Sequence, residues 1–336
     1  MLKAISCFTF ALLVCAAPAF ANVTVYAPAS GWEVASPFSL AATASECSSQ
    51  PIAAMGYSLD NSGNTTILYS TSINTKVKAY TGAHILHVKS WGNRGASCVT
   101  DVPIVVVPDP TSRVPVDALV FKDAQMQANW KAVNDTDTNG GSTGWSTIVG
   151  SPSISGSARV FASQFTNNGG ERYYAHLGSN TAVSNFLYDG WVYVGDSATG
   201  ISNIELDMNQ VMANGQTVIY GFQCDGWTNT WDYTENSGTP WRPRDEWVHS
   251  RQYCSPRTWG VNSWHHIQIS YSRDQAGAVT YNSVWMDGVE EDINATVPSA
   301  FALGWGSSIL TNFQIDGYGT SGSSKVYLDH LTVYAW

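Results

Sequence analysis

Two carboxylates and an amide fall at alternate positions in Ile204-Glu205-Leu206-Asp207-Met208-Asn209-Gln210. Paired acids are what proton transfer and nucleophilic attack at a glycosidic carbon require. Acids together with amides are also what a hydroxyl-rich ligand is held by. Side chains alternate across a strand, so Ile204, Leu206 and Met208 face a core while Glu205, Asp207 and Asn209 line the opposite face. Such a polar row is costly unless it lines a solvent-filled cleft or is fully hydrogen-bonded.

A second group of candidates lies just downstream. Six of the fourteen tryptophans fall between 227 and 264: Trp227, Trp231, Trp241, Trp247, Trp259 and Trp264. Indole faces stack on apolar surfaces, and acids, amides and arginines take hydroxyls, so Trp227, Trp231, Trp241 and Trp247 are candidate ligand contacts beside Asn209 and Gln223. Glu246, with Asp245, sits in what reads as a long loop from Asp225 to Asn262 that swings over the cleft. Of His265 and His266, on opposite sides of a strand, His266 is the candidate for the cleft, against a plain structural role. Asp135-x-Asp137-x-Asn139-Gly140 has the spacing of a calcium loop, but Ser146 stands where the bidentate Glu belongs. A polar surface loop is the simpler account, so no metal or other cofactor is assigned.

The rest of the chain has to position these groups. Residues 1–21 carry Lys3, an apolar run from Phe8 to Ala17 and Ala19-Phe20-Ala21, the three parts of a secretory signal peptide. The apolar run is too short to span a membrane. The whole chain has 16 basic and 26 acidic residues, a net charge of −10, which argues against nucleic acid and anionic membranes as partners. With 29 glycines, 12% aromatic residues and no helix-period segment, the expected class is all-β, exported to the periplasm or beyond. Cys47, Cys98, Cys224 and Cys254 remain after the leader. Three pairings are open, with Cys47–Cys98 and Cys224–Cys254 favoured by locality, and no Cys-x-x-Cys supports zinc.

Short alternating strands separated by turns fill 22–107, as in a small antiparallel sandwich. Three prolines at 108, 110 and 115 mark 108–116 as a linker. Residues 117–130 read as a short helix or an extended connector. The remainder, 117–336, returns to strands at 186–194, 204–210, 217–224, 264–271, 280–287, 313–317 and 325–334, and about 220 residues of this kind fit a jelly-roll sandwich.

Two resemblances follow from these motifs. Ala27-Pro28-Ala29-Ser30-Gly31, Tyr57-Ser58-Leu59-Asp60 and the run from Gly82 to Trp91 resemble bacterial immunoglobulin-like modules. Glu205-Leu206-Asp207-Met208-Asn209, Trp264-His265-His266-Ile267, Val284-Trp285-Met286-Asp287-Gly288 and Tyr327 to Tyr334 together resemble the concanavalin A-like lectin/glucanase superfamily, in particular its laminarinase and κ-carrageenase branch. That resemblance implies a retaining hydrolase site with Glu205 as nucleophile and Asp207 supporting it. The acid/base position, however, is occupied by Asn209, or by Gln210 in the bulged version. An amide holds sugar hydroxyls but cannot shuttle a proton, and loss of that group forfeits about 10²–10⁴-fold in rate. The leading expectation is therefore a secreted protein that binds a neutral polysaccharide such as a β-glucan. The alternative is an endo-glycosidase with Glu246 as proton donor. A lyase using Tyr220, Gln223, Arg251 and His266, and a surface adhesin, stand further back.

Overall fold

The computed structural model describes residues 23–195 and 200–336; the expected signal peptide lies outside them. The described chain is almost wholly β, as the composition implies. No helix among the described residues is long and apolar enough to cross a membrane.

Contacts divide the chain into two compact units. One holds the described part of 1–31 with 40–75 and 83–104, and the other holds 32–39, 76–82 and 105–336. In the first, Val23–Ala27, Phe38–Ala44 and Ser72–Val77 form a three-stranded sheet. Gln50–Leu59 pairs with Gly82–Gly92, and Glu46–Cys47 and Thr66–Leu68 both pair with Gln50–Leu59. Strict alternation buries Leu40, Ala42, Leu86 and Val88. Cys47 and Cys98 are bonded, as are Cys224 and Cys254 in the larger unit. Both bonds fit an oxidising compartment.

The larger unit is a β-sandwich. One sheet runs Gly141–Val149, Ala158–Thr166, Ser321–Ala335, Asn185–Val194, Ser263–Arg273, Ala278–Met286, Val289–Pro298. The other runs Lys131–Asn134, Gly170–Gly178, Ile309–Gly317, Ile201–Val211, Phe222–Asp225, Thr230–Asn236, Asp245–Tyr253. Their inner faces meet in one apolar core that includes Ile204, Leu206, Met208, Phe222, Ile267, Ile269, Phe313 and Leu328. The connector after 117 forms a short strand, Leu119–Phe121, and a 3-10 turn, Ala124–Met126, instead of a helix.

The stretch 225–262 is not a long loop. It contains the paired strands Thr230–Asn236 and Asp245–Tyr253. The period-two alternation of Trp231-Asp232-Tyr233-Thr234 continues the sheet. The segment bearing Gly238, Pro240 and Pro243 turns between these two strands, as those residues require.

Candidate functional site

The central pair of strands in the second sheet is Ile201–Val211 against Ile309–Gly317. From Asn203 to Gln210 their register is unbroken: Glu205 faces Gln314, Asp207 faces Asn312 and Asn209 faces Leu310. The straight alternation puts Glu205, Asp207 and Asn209 on one face and leaves no bulge to bring in Gln210. That amide points the other way, with no exposure, and donates to the carbonyls of Asn180 and Val183.

Opposed residues in adjacent strands share a face, so the registers extend each position into a row across the sheet. One row reads Arg172, Gln314, Glu205, Gln223, Asp232, His249. On one side lies Asp316, Asn203, Asp225. On the other lies Tyr174, Asn312, Asp207. Asp316, Gln314 and Asn312 were not anticipated, although Thr311-Asn312-Phe313-Gln314-Ile315-Asp316 alternates as plainly as the stretch opposite.

Acids crowd this face. Gln314 Nε2 donates to Glu205 Oε1 at 2.8 Å, Asp316 Oδ1 at 3.0 Å and Asp135 Oδ2 at 3.1 Å. Acceptors on one nitrogen lie within about 6 Å of each other, the scale on which two carboxyls cooperate in retaining hydrolysis. Asp207 is fully engaged, Oδ1 by the backbone N–H of Phe222 at 2.8 Å and Oδ2 by Asn312 at 2.9 Å. Glu205 Oε2 and the Asn209 amide accept or donate no hydrogen bond among the described residues, and Glu205 is 6% and Asn209 9% exposed. The face is thus a largely buried polar floor with two uncommitted polar groups.

The electrostatics follow from burial with too few cations. Glu205 is held well above the usual carboxylate range, first by burial and then by Asp207, Asp316 and Asp135. Burial pushes Asp207 and Asp316 each up to about 7, against the hydrogen bonds they accept. Arg172, 2.6 Å from Asp135 Oδ1, is the cation on this floor. Asp135 therefore serves the groove. Its oxygens accept from Arg172, Gln314 and the Asp137 N–H.

The hairpin sorts the remaining candidates. Asp245, Trp247 and His249 oppose Asn236, Thr234 and Asp232, and so share the polar face. Glu246 opposes Glu235 on the other side and pairs with Arg244 at 2.7 Å, so it is not positioned as a proton donor to this groove. Asp245 instead lies on the polar face at its rim, its carboxyl pushed up to about 6 by burial and by Asp137. Trp247 is half-exposed beside it. Trp227 is 51% exposed at the far end, its backbone N–H donating to Asp225 and its ring against Tyr318, with Arg257 over Tyr318. Trp241 is exposed in the hairpin turn.

Trp231 is 1% exposed and stacked on Phe222 at 5.3 Å, so it is core and cannot reach a ligand. His266 belongs to the other sheet, where it bonds Asp189 at 2.7 Å and stacks on Trp191. Tyr220 is buried and bonded to Gln210, so the lyase set of Tyr220, Gln223, Arg251 and His266 is not assembled. Asp225, Asp232 and His249 offer carboxylate oxygens and Nδ1 within 4.8 Å of one another, the one such trio among the described residues. These groups already bond each other and the Thr228 and Thr230 hydroxyls.

No family model matches the chain, and no curated protein does. Solved β-sandwich carbohydrate-binding modules and lectins resemble it in fold. One, a structure of carbohydrate-binding modules of the β-sandwich superfamily with promiscuous specificity, is 12% identical over 92% of this chain and 96% of that one, at a TM-score of 0.31. Cellulose induced protein Cip1 is 13% identical over 62% of this chain and 91% of its own, at 0.37. Arcelin-5, a lectin-like defence protein from Phaseolus vulgaris, is 13% identical over 62% and 99%, at 0.33. At these scores the likeness carries no argument about ligand or activity, which rest on the residues themselves.

Proposed function

We propose that the chain is an exported glycan-binding protein, read as a leader, an immunoglobulin-like module at 22–107, a linker at 108–116 and a jelly-roll domain at 117–336, whose polar groove holds a neutral polysaccharide such as a β-glucan. The observation that supports this most is the pair of unbulged rows, Glu205–Asp207–Asn209 and Asn312–Gln314–Asp316, lying side by side on a sheet whose edge strand carries Trp247 and whose turn after Asp225 carries Trp227. The floor is rich in acceptors, and sugar hydroxyls are donors that match them. Glu205 Oε2 and the Asn209 amide are the groups free to meet a ligand. The two half-exposed indoles supply apolar faces for pyranose rings. The excess of carboxylates disfavours uronates and sulfated sugars.

A second reading, retaining hydrolysis, draws on the convergence of Glu205 with Asp316 on one amide nitrogen. Asp316 or Asp245, rather than Glu246, would then supply the second carboxyl. Against it, burial and the neighbouring carboxylates hold Glu205 well above the usual carboxylate range, which disfavours the ionised form that would have to attack.

A panel of insoluble and soluble polysaccharides, scored for retention and for release of reducing ends, tests both. Binding predicts retention without release, largely kept in Glu205→Gln. Release that vanishes in Glu205→Gln overturns the binding reading in favour of hydrolysis. Neither retention nor release across the panel removes both.

A further inference from the structure

On the other sheet of the larger unit, Tyr193 projects outward between the buried Val192 and Val194. Its neighbours across the strands are Trp264 on one side and Tyr327 on the other. The three rings are in contact, Tyr193 to Trp264 at 5.3 Å and Tyr193 to Tyr327 at 5.4 Å, the latter edge-on. All three are partly exposed. Beside Tyr193 and Tyr327 lies a cavity of about 340 Å³, also lined by Asn262, Ser323 and Lys325. The Tyr193 hydroxyl donates to Asn262 Oδ1 at 2.9 Å, which fixes the ring's tilt against the cavity wall.

This pocket differs in kind from the acidic groove. No carboxylate is among the described residues that line it, whereas the groove is dominated by them. Its size is at the low end for pockets that take small organic ligands, which run from about 300 to 1,000 Å³. Its chemistry is two-part: aromatic edges and faces that offer apolar contact, ringed by an amide, hydroxyls and an ammonium that offer directed hydrogen bonds. A hexopyranose presents the same division, with C–H faces and an equatorial girdle of hydroxyls. A flat aromatic ligand would use the rings and draw nothing from the polar rim. A free anion would leave the rings unused.

We propose that this pocket is a second glycan site, separate from the acidic groove, seating a hexopyranose ring against Tyr193 and Tyr327 with Asn262 and Ser323 taking its hydroxyls. It does not depend on the groove being a binding site. If both hold, a glycan chain is gripped from two sheets of one unit and retention exceeds that of either site alone, because the second contact is made at high effective concentration.

The test uses the full chain labelled with 3-fluorotyrosine and observed by fluorine NMR, with the Tyr193 and Tyr327 signals assigned from Tyr193→Phe and Tyr327→Phe. Hexasaccharides of β-1,3-linked glucose, β-1,4-linked glucose and β-1,4-linked galactose are titrated in. The expected result is a saturable shift of both signals with at least one of them. It persists in Asn209→Ala/Trp247→Ala, which cripples the groove, and is lost in Ser323→Trp, which fills the cavity from an exposed position while keeping every ring. No shift with any of the three sugars overturns the proposal. So do shifts that survive Ser323→Trp or disappear with the groove variant. Shifts that persist while the groove variant alone abolishes polysaccharide retention leave both sites standing. Shifts in a protein whose groove variant retains polysaccharide as before remove the groove reading and not this one.

Discussion

Replacing Asp207 by asparagine should make the protein more stable at slightly alkaline pH. The carboxyl is 5% exposed. Burial raises its pKa from 3.8 to about 7, so the folded chain keeps a proton that the unfolded chain has already released. The native state then binds more protons than the unfolded one between those two values, and stability falls as pH rises through that window. Each tenfold step in proton affinity is about 1.4 kcal/mol, so ionising the folded chain costs up to about 4 kcal/mol by pH 8. Glu205 shares part of that penalty, which leaves about 2–4 kcal/mol to be recovered by removing the charge. The hydrogen bonds survive the change. The substituted amide keeps an acceptor for the Phe222 N–H, and Asn312 can turn its own amide to accept. Urea unfolding at pH 4, 6 and 8, extrapolated to water, should show Asp207→Asn level with the parent at pH 4 and ahead by that margin at pH 8. Parallel pH curves, or a variant less stable at pH 8, would refute the account of the groove as a site of unneutralised buried charge.

Three further outcomes are expected. Trp231→Ala should cost about 3–5 kcal/mol in urea unfolding, as for any large core side chain, whereas Trp247→Ala should leave unfolding unchanged. The same Trp247→Ala should weaken polysaccharide retention about tenfold, near 1.4 kcal/mol, measured by depletion from insoluble glucan. Replacing Cys224 and Cys254 by serine removes a closure over 30 residues and should lower stability by about 3–4 kcal/mol, read from the shift in urea midpoint at constant slope.

The fold class and the central strand were legible because their signal is local. A period of two in Ile204 to Gln210 needs no partner to be read, and the same period in Asn312, Gln314 and Asp316 was equally available. What was not legible depends on register. Whether Asp245 or Glu246 reaches the groove is a shift of one residue, settled by the pairing of Asn236 with Asp245 and by the irregularity between Thr230 and Asp232. Trp231 and Trp247 look alike in a tryptophan-rich stretch, yet one opposes Cys224 within the core and the other opposes Thr234 on the polar side. His266 follows the same rule: its strand belongs to the other sheet, a fact of topology that no spacing within Trp264-His265-His266 encodes. The turn chemistry of Gly238, Pro240 and Pro243 was visible, but the prolines masked the two strands that they connect. Asp135 was singled out for its neighbours in sequence, while its role comes from Arg172 and Gln314, on strands far along the chain.

The unbroken pairing of the two central strands has a consequence for how such a protein changes its preference. Every floor residue is flanked on both sides by strands and shares partners with its neighbours, so swapping one disturbs several. The hairpin carrying Asp245 and Trp247 is the outermost strand pair of its sheet, anchored at its base by a covalent clasp. On the proposed glycan-binding reading, new sugar preferences are most readily acquired by exchanging that flap as a cassette, leaving the floor as inherited.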